Sequence, residues 1–400
     1  MWKNKNVWII LMGEFIAGIG LWLGIIGNLE FMQRHIPSDF KKSLIMFAGL
    51  LAGVMVGPLA GRLIDQASKK KILLYAGFGR VVSVVFMFLA LHFDNVWYMV
   101  FFMVAIQISA AFYFPALQAV IPLVVRDQDL LQMNGMHMNV ATIARIAGTS
   151  IGGVLLVVLS LEYMYGFSML AYALLFASTY LLEFQDTPVQ PSKNATNQKA
   201  GFTEVFRILK EVPVAFNTLV LNIIPLLFIG GFNLMVINIS EMQKDPAIKG
   251  LLYTVEGVAF MLGAFFVKYA SKRTSPQRLM YTYSFIIAFA HLSLFFSNIK
   301  WMSLVSFTIF GLGVGGFFPV ASTVFQTKIA KTYHGRLFSF RNMFERVMFQ
   351  VVLLATGLFL DTIGLQYMVL IFGLVSLLIL FLLLSRPKAM SLETKESQSS

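Results

Sequence analysis

Twelve separate stretches of this chain run for about 20 residues with almost no charge, which is the length an α-helix needs to cross the hydrocarbon core of a bilayer. They fall at roughly 7–30, 43–64, 72–92, 96–123, 132–159, 165–184, 214–238, 247–269, 279–297, 301–325, 338–360 and 366–385. Overall 58% of the residues are hydrophobic and 12% charged, against about 25% charged in soluble domains, so lipid rather than water solvates most of the surface. The first run follows only Lys3 and Lys5 and holds no small-residue cleavage site between Val7 and Leu29, so it reads as a retained crossing rather than a signal peptide. Connections such as "HFDN" (92–95) and "SNIK" (297–300) are short enough to join only antiparallel neighbours. The longest polar interval, 185–213, separates six runs from six. The expected organisation is a six-helix bundle at 1–184, a cytoplasmic central loop at 185–213, a second bundle at 214–386 and a disordered cytoplasmic tail at 387–400.

Lysine and arginine fix the orientation, because cytoplasmic segments carry the excess of positive charge. With the N-terminus inside, the inner segments hold 22 of these residues and the outer ones six, namely Arg34, Lys41, Lys42, Lys244, Lys249 and Lys300. Both termini are therefore expected in the cytoplasm, in a multi-pass protein of the cell's plasma membrane. The net charge of +12 follows from this topology and from contact with anionic lipid, so nucleic acid is not an expected partner.

The two halves echo one another. Gly61 with its basic loop is matched by Gly263 with "KYASKR" at an offset of 202, "FYFP" ending at Pro115 by "GFFP" ending at Pro319 at 204, and Arg145 by Arg346 at 201. Internal duplication of this kind is common in transporters, where the repeats surround a central site.

Between the second and third runs stands "GRLIDQASKKKIL" (61–73), with Gly61, Asp65, Lys69, Lys70 and Lys71. It resembles the loop signature of the major facilitator superfamily, although Gln66 and Ser68 depart from the common pattern and the second-half copy has Val267 in place of the aspartate. "FPALQAVIPLVV" (114–125) and "GRLFSF" (335–340) resemble the bacterial drug-exporter branch that includes macrolide-efflux proteins, and metallophore exporters are similar at this level. "ARIAGTSIGG" (144–153) is similar to the antiporter signature through Gly148, Gly152 and Gly153, with Thr149 where a proline is usual. The resemblance implies an all-α membrane protein, twelve transmembrane helices in two pseudo-symmetric six-helix bundles. It implies a proton-coupled antiporter that exports a small amphipathic molecule such as a drug, a macrolide-like compound or a metallophore, with substrate, protons and the bilayer as partners of a monomer. A lipid or lysolipid flippase of the same fold and a transporter-like receptor without net flux remain as alternatives.

Asp65 at the cytoplasmic end of the second helix is placed to accept from a guanidinium, with Arg336 and Arg341 as candidates, and so to form a cytoplasmic gate; the lysines read equally as topology determinants. Ionisable groups within the hydrocarbon are costly and therefore functional candidates. They are Glu14, Arg80, Arg145, Glu256, Glu345 and Arg346, with Glu30 near the outer end of the first helix. Glu256, then Glu30 or Glu14, are the expected proton carriers, and Arg145, Arg80, Arg346 and Glu345 the charge partners; a fixed pair that merely ties helices together is the competing reading. The family resemblance places the substrate cavity between helices 1, 4, 7 and 10, with Trp22, Asn28, Tyr113, Phe114, Asn222, Asn233 and Phe318 as its polar and aromatic lining, each of which also reads as packing.

Other chemistries find no support. There is no cysteine, the five histidines show no metal-ligand spacing, and no GxxxxGK[ST] segment is present for a nucleotide. No metal, cofactor or enzymatic activity is expected.

Overall fold

In a computed structural model the described residues are 2–184, 209, 211–329 and 334–385, except for the side chains at 65, 127, 131, 334–336 and 339. Within them the chain is helical and contains no strand. The helices are α1 (Lys5–His35), α2 (Asp39–Gln66), α3 (Lys69–Phe93), α4 (Val96–Val124), α5 (Leu130–Val158), α6 (Leu161–Tyr180), α7 (Pro213–Leu221), α8 (Ile223–Gln243), α9 (Ile248–Ala270), α10 (Pro276–Ser293), α11 (Lys300–Lys328) and α12 (His334–Leu384). Among the described residues ten segments are long and apolar enough to cross a membrane, α7 and α8 counting as one. The last of them covers 45 residues and breaks at Gly364, whose φ of 76° leaves helical geometry, so it supplies two crossings. The 20-residue α6 adds one more, about 30 Å long at 1.5 Å per residue. The seventh crossing is divided at Asn222, with Pro225 in the first turn of α8, where a missing N–H costs nothing.

Polar side chains cap the start of several helices. Ser38 accepts from the Lys41 amide, Asn95 from that of Trp97 and Ser275 from that of Arg278. In "GRLIDQASKKKIL" the cap is Ser68, which accepts from the Lys71 amide, so Lys69, Lys70 and Lys71 form the first turn of α3. Three cations there oppose the helix dipole. Lys70 is compensated by the other end of a neighbouring helix: its Nζ donates to the carbonyls of Tyr180 and Leu182, 2.9 and 2.7 Å away, where α6 stops.

Contacts divide the chain into two compact units, Met1–Ala195 with Lys244–Thr254, and Thr196–Gln243 with Val255–Ser400. The expected central loop and tail lie mostly outside the described residues. In the first unit α1 packs on α5 and α6, α3 on α4 and α6, and α2 on α4. Small residues let these backbones approach. A Cβ at Gly20 would stand 2.5 Å from that of Ala171, and one at Gly18 2.7 Å from that of Ala144. In the second unit α8 packs on α12, and α10 on α11 and α12. There Gly230 and Gly231 meet Val352 and Thr356, whereas Gly373 meets Leu292, so both halves of α12 are used. The first-to-fifth and third-to-sixth helix pairings of one unit thus recur in the other.

In the second unit α9 approaches α11 to backbone contact. A Cβ at Gly315 would lie 2.2 Å from the Phe260 carbonyl oxygen, and one at Gly311 2.4 Å from that of Glu256. Backbone cannot yield as a side-chain tip does, so Gly315→Val is expected to destabilise by about 2–3 kcal/mol. Gly57→Ala, with nothing within 4 Å of its new methyl, is expected to leave the thermal unfolding of the purified protein unchanged. Equal melting of both variants would contradict the close approach.

Candidate functional site

In the first unit, five helices converge on one buried acid. Glu14 lies on the third turn of α1 and is 8% exposed. Its Oε1 accepts from the Tyr113 hydroxyl of α4 at 2.7 Å, a charge-assisted bond, and its Oε2 stands 3.5 Å from Nε2 of His137 on α5. Arg80 of α3 lies over the Tyr113 ring at 4.1 Å, that of Phe114 at 5.0 Å and that of Tyr172 on α6 at 5.9 Å. Among the described residues no carboxylate pairs with Arg80 within 4 Å, and its sealed Nε has no acceptor. The guanidinium is held by aromatic faces, and its charge acts on Glu14 through space. Glu14, Arg80, Tyr113 and Phe114 were separate sequence candidates; His137 was missed, because no ligand spacing marks a lone histidine whose partner is more than a hundred residues away.

Glu30, at the other end of α1, is held differently. One carboxylate oxygen accepts from Arg34 Nε at 2.7 Å, and the other from Lys249 Nζ at 2.8 Å. Lys249, one of the six cations counted on the outer side, is fully buried. Around this pair, the Tyr165 hydroxyl donates to Asn28 Oδ1 at 2.7 Å, and Ser150 and Thr254 share a hydrogen bond of the same length. Helix α5 shows two faces here. Gly148 and Gly152 lie against Trp22 and Ile26 of α1, and a Cβ at Gly153 would stand 2.8 Å from Gly250 Cα. Trp22 meets Tyr253 edge-on at 5.7 Å and lies 5.9 Å from the Arg145 guanidinium. Thr149 bonds back to the Arg145 carbonyl at 2.9 Å, so α5 runs unbroken where a proline would interrupt it.

In the second unit Glu345 takes Arg341, at 2.6 Å and one turn away, rather than its exposed neighbour Arg346; adjacent residues on a helix do not face each other. Asn222, at the break between α7 and α8, donates to the same Glu345 oxygen. Arg341 also reaches Ser322 at 3.5 Å and lies over the Phe325 ring at 5.2 Å. The expected gate contact through Asp65 and Arg336 rests on side chains outside the described residues. Glu256 is 5% exposed on α9, while Asn233 and Phe318 are half-buried on α8 and α11. Among the described residues no cluster of three or more histidine or acidic side chains is fit to hold a metal ion.

The family model of the Major Facilitator Superfamily matches residues 10–242 and 226–399, nearly the entire chain. The protein is a major facilitator superfamily transporter. Macrolide efflux protein A of Streptococcus pyogenes is similar to it, 24% identical with 93% of each chain covered. Multidrug resistance protein MdtG of Serratia proteamaculans is 21% identical over 86% of this chain and 84% of its own. Among solved structures, the nucleoside transporter NupG matches with a TM-score of 0.74 at 14% identity, covering 95% of this chain and 98% of that one. A bacterial homologue of the iron transporter ferroportin, in an inward-facing state, matches at 0.72 and 12%, covering 96% and 99%. The transporter shares their fold.

Removing one partner of a buried ion pair leaves an uncompensated charge, at a cost of about 3–5 kcal/mol. Lys249→Met is therefore expected to lower the thermal stability of the purified transporter by that amount. The double change Glu30→Gln with Lys249→Met should recover at least part of it. A single variant as stable as the parent would show that the pair contributes nothing.

Proposed function

We propose that this transporter is a proton-driven exporter of a small amphipathic compound, a macrolide-like drug or a metallophore, working by alternating access in the plasma membrane. The observation that carries the coupling is the Glu14 cluster. A carboxylate away from water, facing a tyrosine hydroxyl and a histidine with a guanidinium nearby, has partners that tolerate both its charged and its neutral form. Glu256, buried on α9, is the second candidate for the same task, and Glu30, compensated by two cations, serves as a clamp. Export is supported by the names of the relatives, which are macrolide and multidrug efflux proteins. Trp22, Asn28, Tyr113, Phe114, Asn222, Asn233 and Phe318 are proposed to line the substrate path, and Gly61, Asp65, Lys69, Lys71, Arg336 and Arg341 to form the cytoplasmic gate. Lys70 is proposed for the same gate, and its Nζ also caps the end of α6. The working unit is a monomer of two six-helix bundles with both termini in the cytoplasm.

The cargo is found by comparing a deletion strain with its parent under macrolide challenge and in iron- or zinc-poor medium. In inverted membrane vesicles, uptake of that cargo is expected to rise with an interior-acid pH gradient, and Glu14→Gln to reduce it at least about tenfold. Uptake that ignores the gradient, or survives both Glu14→Gln and Glu256→Gln, would refute proton coupling through these acids.

Orientation has its own test, because the chain lacks cysteine. In whole cells a membrane-impermeant maleimide is expected to label Asn298→Cys and to spare Ser271→Cys; the reverse pattern would invert the topology.

A further inference from the structure

The Glu14 carboxylate is sealed, so a proton bound there needs a path to water. Among the described groups, one titratable side chain both faces Glu14 and retains contact with the surroundings: His137, whose side chain is 14% exposed against 9% for Glu14. Its Nε2 is sealed from solvent and has no hydrogen-bond partner, yet stands 3.5 Å from Glu14 Oε2. That separation exceeds a hydrogen bond by about half an ångström, which a small rotation of either side chain closes. His137 lies in the second turn of α5 and is flanked by the exposed Gln132, Asn134, Gly135, Met138 and Asn139, so the ring bridges the buried acid and the surface at that end of the helix. A buried polar atom left without a partner in a native structure calls for a reason, and one reason is a transfer role.

We propose that His137 is the proton relay of Glu14. In this step the protonated Glu14 carboxyl gives its proton to the lone pair of neutral His137 at Nε2, leaving a carboxylate and an imidazolium. The imidazolium then loses its Nδ1 proton to water, and a ring flip or tautomer exchange restores the starting form. The Glu14 O–H and His137 Nδ1–H bonds break while an Nε2–H bond and an O–H bond on water form, so the net result is one proton passed from Glu14 to water. The remaining charged and titratable groups at the site assist without taking the proton: Tyr113 from α4 donates to the other carboxylate oxygen, Arg80 from α3 supports the negative charge left on Glu14, and Tyr172 from α6 faces Arg80. This role deepens the reading of Glu14 as the coupling acid and rests on it. His137 acts through Glu14 and is a positioning residue with respect to the cargo.

The test needs no cargo. The full-length protein is reconstituted in lipid, its medium is jumped from acid to alkaline pH, and deprotonation of Glu14 is followed by the infrared carboxyl band that Glu14→Gln removes. His137→Gln, close in size, is expected to slow the decay of that band by roughly tenfold or more, as loss of a positioned acid–base group does. In His137→Ala, added imidazole is expected to restore the rate. An unchanged rate in His137→Gln, or an Ala variant that imidazole leaves slow, would overturn the relay while leaving Glu14 as the coupling acid. If the wild-type protein has no band that depends on Glu14, the acid takes up no proton, and the coupling reading falls together with the relay.

Discussion

A charge placed in hydrocarbon has to find its compensation inside the protein, and the arrangement of both units follows from how each buried acid meets that demand. Glu14 and Glu30 are buried and Glu345 is half-buried, and each is met by side chains from other turns or other helices. The solutions differ in kind. Glu30 has one cation on each oxygen, Glu345 has Arg341 together with the Asn222 amide, and Glu14 has a phenol, an imidazole and a guanidinium held off by aromatic rings. The first two tie neighbouring segments together, and in the third no cation is fixed to the carboxylate by a short bond. Dispersion packing of glycine and alanine against bulkier side chains brings the helices near enough for these contacts to form.

Duplication is visible in the chemistry as well as in the packing. In the first unit an acid on the opening helix faces a histidine on the fifth; in the second an asparagine at the opening helix faces an acid and an arginine on the fifth. His137 and Arg341 are 204 residues apart, the offset that relates "FYFP" to "GFFP". The same structural position therefore holds an imidazole in one half and a guanidinium in the other. The copies have kept a polar bridge between corresponding helices while changing the groups that form it.

Hydrophobic run length made the helices legible, since the bilayer imposes a minimum that few other environments share. The short connections were legible for the same reason: Asp94, in left-handed geometry, turns the chain between α3 and α4 where "HFDN" left room only for a turn. Partnership was much less so. Lys249 looked like one of six outer cations, because a charge count cannot distinguish a solvated lysine from a buried one that pairs with Glu30 from 219 residues away. Glu345 and Arg346 were both expected as charge partners, whereas helical geometry turns Arg346 away and gives Glu345 to Arg341. Lys70 read as part of a gate, and its bonds to the carbonyls at the end of α6 depend on a tertiary contact that the loop sequence does not show. His137 carried no local signal at all. Its meaning lies in which turn of α1 meets which turn of α5, and that register is set by Gly18 against Ala144 and Gly148 against Trp22, contacts that no single segment encodes.

The two acids of α1 show how one helix can serve two ends. Glu14 and Glu30 are separated by 16 residues, about 24 Å along the axis, so they sit toward opposite faces of the membrane. Near the far end the clamp with Lys249 holds the segment 244–254 against α1, and Gly153 with Gly250 lets that segment approach α5 to backbone contact. A side chain at either glycine would hold the backbones apart and lengthen the ion pair, so the small residues and the charges there form one device. The near end is built the opposite way. Tyr113 and His137 approach Glu14 from two other helices without either supplying a permanent charge, so relative movement of α1, α4 and α5 changes the environment of the acid directly. On the proposed coupling through Glu14, a helix with one end fastened and the acid at the other would convert a shift in its tilt into a change in proton affinity, and a change in proton load into a shift in tilt. By linkage these are the same coupling free energy read in two directions.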